Sequence, residues 1–335
     1  MKKFTLKFIL VLIPIYIVVI YYEFYVVPNF SGDLGYLGKI QFGKEYMIPI
    51  EKNYLKNSRV DTFSTIQNHQ YKIATSGDSF SQQNIYGYQN YLSNLENKNI
   101  LNFKRVWSSL SPEQIAINHL KSGDLKKTNT KIVIVECAEK SFIGRLNSLE
   151  FDSIVIEPKI ALGKIKEKSL IEKVAEWIRV SIWDINKRVV IKADLNDYYF
   201  EDTIRGNKLY YYNEDLLFRA VKLNEIKQAK INLIKMKRLF ESSGIKFIYL
   251  VAADKYNVYQ SFIKNNKYPN NTIMEHFKEF EKMKFFINTN IILIPMVNNG
   301  IKDVYMMNDS HWSYKGSEAV AKELHNRIKL LEIEN

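Results

Sequence analysis

Lys131-Ile132-Val133-Ile134-Val135-Glu136-Cys137 decides the fold. Four β-branched residues in a row, apolar on both faces of an extended chain, predict a strand covered on both sides, the signature of a central strand in a parallel sheet. Further strands are expected at 71–75, 99–103, 246–251 and 291–294, the last stopped by Pro295. Helical periodicity fills the intervals. Helices are expected over 82–95, from Ser111-Pro112-Glu113 to Leu120 with serine as cap and proline in the first turn, over 213–242 with Gly244 closing it, over 273–287, and over 317–331. Five strands separated by helices predict an α/β three-layer sandwich with a parallel central sheet, whose reactive residues gather beyond the C-terminal strand ends.

Two regions fall outside this alternation. Between about 140 and 215 it lapses, as for an insertion at the sheet's edge. A helix is expected at 169–182 with Trp177 inside it and Trp183 at its end, and Tyr210-Tyr211-Tyr212 is expected to pack into the body. At the other end, Lys2, Lys3 and Lys7 precede an apolar run over 8–22, slightly short of the roughly 20 residues a membrane span needs. Bulky Tyr21-Tyr22-Glu23-Phe24-Tyr25 lacks the small residues of a signal-peptide cleavage site, so a retained anchor is expected. The division is then 1–27 as cytoplasmic tip and transmembrane anchor, 28–68 as juxtamembrane spacer, and 69–335 as a domain on the outer side. Gly32-Asp33-Leu34-Gly35-Tyr36-Leu37-Gly38 has no strand leading into it and reads as turns in the spacer, not as a phosphate loop.

The chain carries a formal net charge of +12, with lysines mostly beside glutamates on helix faces. That balance favours an anionic neighbour, but no nucleic-acid-binding motif occurs. The 46% of hydrophobic residues suffice for a large core. Its single cysteine excludes an internal disulfide framework, and Cys137, closing the central strand, reads as a small core residue. No cysteine-histidine cluster has zinc spacing, and no cofactor motif is present.

Chemistry concentrates in two loops. Ser76-Gly77-Asp78-Ser79-Phe80-Ser81 follows the first expected strand, and Asn308-Asp309-Ser310-His311-Trp312 follows the last. A serine hydroxyl attacks a carbonyl only when a base removes its proton, and an imidazole held by a carboxylate is such a base. Ser79 is the candidate nucleophile, His311 the base, and Asp309 the group that fixes the imidazole tautomer. The backbone N–H of Ser79 is an oxyanion donor by position. Each piece alone also reads as a turn or helix cap. Of the remaining histidines, His119, His276 and His325 fall on expected helices, and His69 precedes the first strand.

At these motifs the sequence resembles the SGNH hydrolase superfamily. Gly77-Asp78-Ser79-Phe80 is similar to its nucleophile block, and Asp309-Ser310-His311-Trp312 to the Asp-x-His-Trp segment of the alginate O-acetylation proteins, although there that segment precedes the serine. Ser111-Pro112-Glu113-Gln114 and Val135-Glu136-Cys137-Ala138-Glu139-Lys140 also resemble segments of that group. The resemblance implies an SGNH/flavodoxin-like fold and places Ser109 where the family has its oxyanion glycine, with no counterpart of its oxyanion asparagine near Glu136. It implies an O-acetyltransferase passing an acetyl group through Ser79 to a polysaccharide hydroxyl, with a membrane-bound O-acyltransferase as partner. A carbohydrate acetylesterase using water with the same triad, and a non-catalytic polysaccharide-binding or assembly protein, are the alternatives.

Overall fold

Every residue of Ile132–Ala138 is buried, and the strand is flanked on both sides by parallel neighbours. The structure is a computed structural model that describes residues 12–14, 16–22, 25, 32–38, 40, 59–60, 70–83, 85–103, 110–155, 189–202 and 204–333. The strands are β1 (Arg59–Val60), β2 (Ile73–Ser76), β3 (Ile100–Phe103), β4 (Ile132–Ala138), β5 (Val190–Asp194), β6 (Lys208–Tyr212), β7 (Lys246–Ala252) and β8 (Phe286–Asn288). The helices are α1 (Asp33–Gly38), α2 (Tyr88–Glu96), α3 (Pro112–Lys121), α4 (Asp124–Lys127), α5 (Glu139–Asn147), α6 (Leu223–Ser242), α7 (Lys255–Tyr259), α8 (Lys278–Glu281), α9 (Asn290–Asn298) and α10 (Tyr314–Glu332). Six strands form one parallel sheet in the order β1-β3-β2-β4-β7-β8, and β5 pairs with β6 in a separate antiparallel ribbon.

Alternation along the strands sorts the core into two layers. Ile132, Ile134, Ile248 and Leu250 face one layer, with residues of α2, α9 and α10 such as Leu92, Leu293 and Leu324. Val133, Val135, Cys137, Phe247 and Tyr249 face the other, with Ala116 of α3, Phe142 of α5 and Met236 of α6. The architecture is thus α/β, a parallel central sheet flanked by helices. The strand order reverses between β2 and β4, and in open parallel sheets the crevice forms at that point, beyond the carboxyl ends of the strands.

Local chemistry accounts for several boundaries. Ser111 caps α3 by accepting from the Gln114 N–H at 3.2 Å, with Pro112 in the first turn. Gly244, at φ +75°, ends the segment after α6, while Ile245 N–H returns to the Phe240 carbonyl. Tyr210, Tyr211 and Tyr212 are buried in the ribbon, so they pack.

Five expected elements are corrected. The strand at 291–294 lies inside α9, and the last strand is β8; an apolar run this short fits a buried helix as well as a strand. In α9 Leu293 and Val297, four apart, are buried while Ile291 is exposed. The helix expected over 213–242 is a 3₁₀ segment, Asn213–Ala220, then α6; Val221 and Lys222 are extended between them, and the Glu225 carboxylate accepts from the Lys222 N–H at 2.7 Å. The helix expected over 273–287 ends with α8, and its last residues enter β8. The helix expected over 82–95 is a 3₁₀ turn, Ser79–Gln82, followed by α2 from Tyr88. The glycine-punctuated 32–38 stretch contains α1, where Leu34 is fully buried.

The helix expected at 169–182, Trp183, His69 and Ser109 lie outside the described residues, as does most of 28–68. Residues 16–21 are helical. Among the described residues no helix is long and apolar enough to cross a membrane.

Candidate functional site

The turn after β2 is shaped by close approach. A Cβ on Gly77 would stand 1.9 Å from Ser81 Oγ and 2.5 Å from Glu136 Oε2, so only glycine fits. Asp78 caps the following 3₁₀ turn, its Oδ1 accepting from the Phe80 N–H at 3.4 Å. Ser79, the first residue of that turn, is exposed, while Asp78, Phe80 and Ser81 on either side are buried.

A buried polar cluster underlies the turn. Asp78 Oδ2 accepts from Ala138 N–H at 3.0 Å, at the end of β4, and from Arg145 Nη1 of α5 at 2.9 Å. Glu136 Oε2 accepts from both the N–H and the hydroxyl of Ser81, at 3.1 and 2.8 Å. Burial works to raise both carboxyls, but the Arg145 guanidinium and a hydrogen bond from Glu136 hold Asp78 below the usual range. Glu136, buried beside that negative charge, is pushed well above it. The two coupled carboxyls, one lowered and one raised, tie the β2 turn to β4 at the switch point. Burial also pushes the Cys137 thiol far up, with Arg145 Nη1 at 3.1 Å from its sulfur, so Cys137 is a packing residue and no nucleophile.

The second loop folds back on itself. Tyr305 and Trp312 form an antiparallel bridge, and Met306 N–H donates to the His311 carbonyl at 3.1 Å. Trp312 is fully buried; its indole N–H donates to Tyr305 Oη at 2.9 Å, and that hydroxyl donates to the Ala253 carbonyl at 2.5 Å. Lys255, at the start of α7, is 1% exposed and donates to the carbonyls of Met306, Met307 and Asp309 at 2.7, 2.9 and 3.0 Å. Burial draws its ammonium down to about 7.

At the tip, Asp309 Oδ1 accepts from the His311 N–H at 3.1 Å and meets its Nδ1 at 2.5 Å. Burial would raise Asp309, but the charge and hydrogen bonds of His311 outweigh it and hold the carboxyl at about 2. Burial likewise works against the imidazolium, and the Asp309 carboxylate overcomes it, so His311 is raised. With Nδ1 bound to the carboxylate, Nε2 is the free edge of the ring. It is buried and, among the described residues, has no hydrogen-bond partner.

The two loops meet through Phe80. Its ring lies edge-on to His311 with centroids 4.9 Å apart and tilted against Trp312 at 4.5 Å, and Gln83 Nε2 donates to the Trp312 carbonyl at 3.2 Å. Ser79, His311 and Asp309 thus belong to one neighbourhood, with Asp309 and His311 bonded and no hydrogen bond between Ser79 and His311. Catalytic hydrogen bonds commonly tighten only when substrate is bound. No protein-family model matches the chain, and no curated protein or solved structure does either.

Other histidines are engaged elsewhere. His119 stacks on Phe103 at 3.9 Å and meets Asp124 at 3.0 Å, and His325 meets Glu96 at 2.6 Å. The carboxyl oxygens of Asp33 and Asp309 and a ring nitrogen of His311 lie within 4.8 Å of one another, the spacing of a cation site. Their oxygens and Nδ1 already take up hydrogen bonds from one another and from Ser310, so the cluster is internally satisfied. Sequence reasoning missed Asp33, Glu136, Arg145 and Lys255 as parts of this neighbourhood. For α1 a signal existed in Leu34 and Leu37, three apart and both packed in the core. For Lys255 there was none.

Proposed function

We propose that the chain is a Ser-His-Asp acyl-transfer enzyme, an O-acetyltransferase that carries an acetyl group on Ser79 to a hydroxyl of an exported or cell-surface polysaccharide. The observation that supports this best is the Asp309–His311 pair, which presents an unpartnered Nε2 in the same neighbourhood as the exposed Ser79. In this reading His311 takes the proton as Ser79 Oγ attacks the acyl carbonyl, and Asp309 stabilises the imidazolium. The imidazolium gives that proton to the donor's departing group as its bond to the acyl carbon breaks, leaving acetyl-Ser79. The acceptor hydroxyl then attacks the acetyl-serine, its proton passing through His311 to the departing Ser79 Oγ. The sequence resemblance to the SGNH superfamily supplies the substrate class and the membrane-bound O-acyltransferase partner. Leu12, Ile13, Tyr16, Ile17 and Ile20 are all exposed, in keeping with a lipid-facing anchor, cytoplasmic at its N-terminus, and a domain outside.

Full-length protein in detergent, given a chromogenic acetyl ester, should release acetate; Ser79→Ala and His311→Ala should each lower the rate by about 10³-fold or more. Equal turnover in all three proteins would defeat the catalytic reading in favour of a polysaccharide-binding or assembly role. Acetylated product on added oligosaccharide, seen by mass spectrometry, separates a transferase from an acetylesterase, which would yield acetate alone.

A further inference from the structure

Residues 32–35, ahead of the main domain, are built into the turn that carries the histidine. Gly32, at φ +74°, lies so close to the loop that a Cβ would stand 2.1 Å from the Asn308 carbonyl oxygen. That same oxygen accepts from the N–H groups of Leu34 and Gly35 at 3.1 and 3.2 Å. Asp33 then clamps the turn from both sides. Its Oδ1 accepts from the Ser310 N–H at 2.8 Å, its Oδ2 from the Ser310 hydroxyl at 2.5 Å, and its own N–H donates to Asp309 Oδ2 at 3.3 Å. Leu34 is fully buried in the core, so the clamp stands on a packed base.

We propose that Asp33 is a positioning residue for the Asp309–His311 pair, and that the helix carrying it is a working part of the site and not a spacer. This rests on the reading of His311 as general base. Ser310 is the only residue between Asp309 and His311, so fixing its N–H and hydroxyl fixes the geometry on which their bond depends. The N–H donated to Asp309 Oδ2 holds the carboxylate oxygen that His311 does not use. Asp33 also adds a second negative charge beside the imidazole. The charged groups around His311 are Asp309 on its own loop, Asp33 on α1 and Asp78 on the turn after β2, with Lys255 of α7 bound to the Asp309 carbonyl. The helix begins eleven residues beyond Tyr22, where the apolar stretch ends. A chain spanning at most about 3.6 Å per residue keeps the site within about 40 Å of that stretch.

The test titrates His311 in full-length, ¹⁵N-histidine-labelled protein in detergent, for wild type, Asp33→Asn, Asp33→Glu and Ser310→Ala, with kinetics on the acetyl ester alongside. Asp33→Asn removes the charge and turns one acceptor into a donor that cannot serve Ser310. It should move the His311 titration to lower pH and lower kcat about tenfold with KM within about twofold. Asp33→Glu should restore most of the titration. Ser310→Ala removes only the hydroxyl half of the clamp and should lower kcat about threefold with the unfolding midpoint unchanged, which keeps the idea testable if Asp33→Asn does not fold. An unmoved His311 titration in Asp33→Asn, or unchanged kcat in Ser310→Ala with an active wild type, would overturn the proposal. If the wild type shows no esterase activity, the acyl-transfer reading falls, and the titration alone still decides whether Asp33 positions the pair.

Discussion

The two loops of the candidate site are held in different ways. The Ser79 turn is tied to the sheet itself: Asp78 and Glu136 share a hydrogen bond under it, the Ala138 N–H at the end of β4 meets Asp78, and Arg145 completes the charge balance one helix further on. The His311 loop is held by groups remote in sequence, Lys255 on three of its carbonyls and Asp33 on Ser310. A turn at a switch point can be braced by the strands that create the crevice. A loop that reaches over from between two helices has no such strand beneath it, and it relies on donors sent from elsewhere.

Breaking the brace of the turn should have the larger effect on stability. In Arg145→Met the Asp78 carboxylate stays buried without its cation, and uncompensated buried charges cost about 3–5 kcal/mol. Urea unfolding should show that loss as a lower midpoint for the whole domain, since the cluster joins β2, β4 and α5. A midpoint within about 0.5 kcal/mol of wild type would mean that the carboxyl pair holds the turn without the arginine.

Lys255→Met should act more locally. It removes three hydrogen bonds and leaves carbonyls without donors, for about 2–3 kcal/mol, expressed mainly as freedom of the loop. Hydrogen exchange should speed up over residues 304–313 while the β4 amides keep their protection, and ester turnover should fall with the loop's order. Equal loss of protection in β4 and in the loop would erase the distinction between the two braces.

This contrast also explains what the sequence disclosed. The parallel sheet was legible because Ile132–Ala138 is apolar on both faces, and the Ser79 turn because Gly77, Asp78 and Ser79 directly follow a strand. The Asp309–His311 bond is a two-residue contact, visible as spacing. Lys255 and Asp33 were not legible, since one lysine and one aspartate act across 54 and 277 residues of sequence, and no local pattern marks such a partner. The strand misplaced into α9 failed for a related reason. Four apolar residues before a proline carry no period long enough to separate strand from helix.

The smallest effect expected is a pH dependence centred on the Asp309–His311 pair. Asp309 is held at about 2, below its ordinary 3.8, so its contribution to stability is complete above about pH 4 and is lost as pH falls through about 2. His311 is displaced the other way, above its ordinary 6.5, so its contribution is complete below about pH 6.5 and is lost as pH rises through the raised value. The stability that the pair adds is therefore greatest between about pH 4 and 6.5 and shrinks on either side. Asp33 and Asp78 also feel the His311 charge, so the difference between wild type and His311→Gln reads the charge pairing of His311 with all three carboxylates. Urea midpoints taken from pH 3 to pH 9 should differ by about 1–2 kcal/mol in that central window and by less toward either end. A constant difference across the range would mean that His311 contributes packing against Phe80 and no charge pairing, and the loop would then owe its charged support to Lys255 and Asp33.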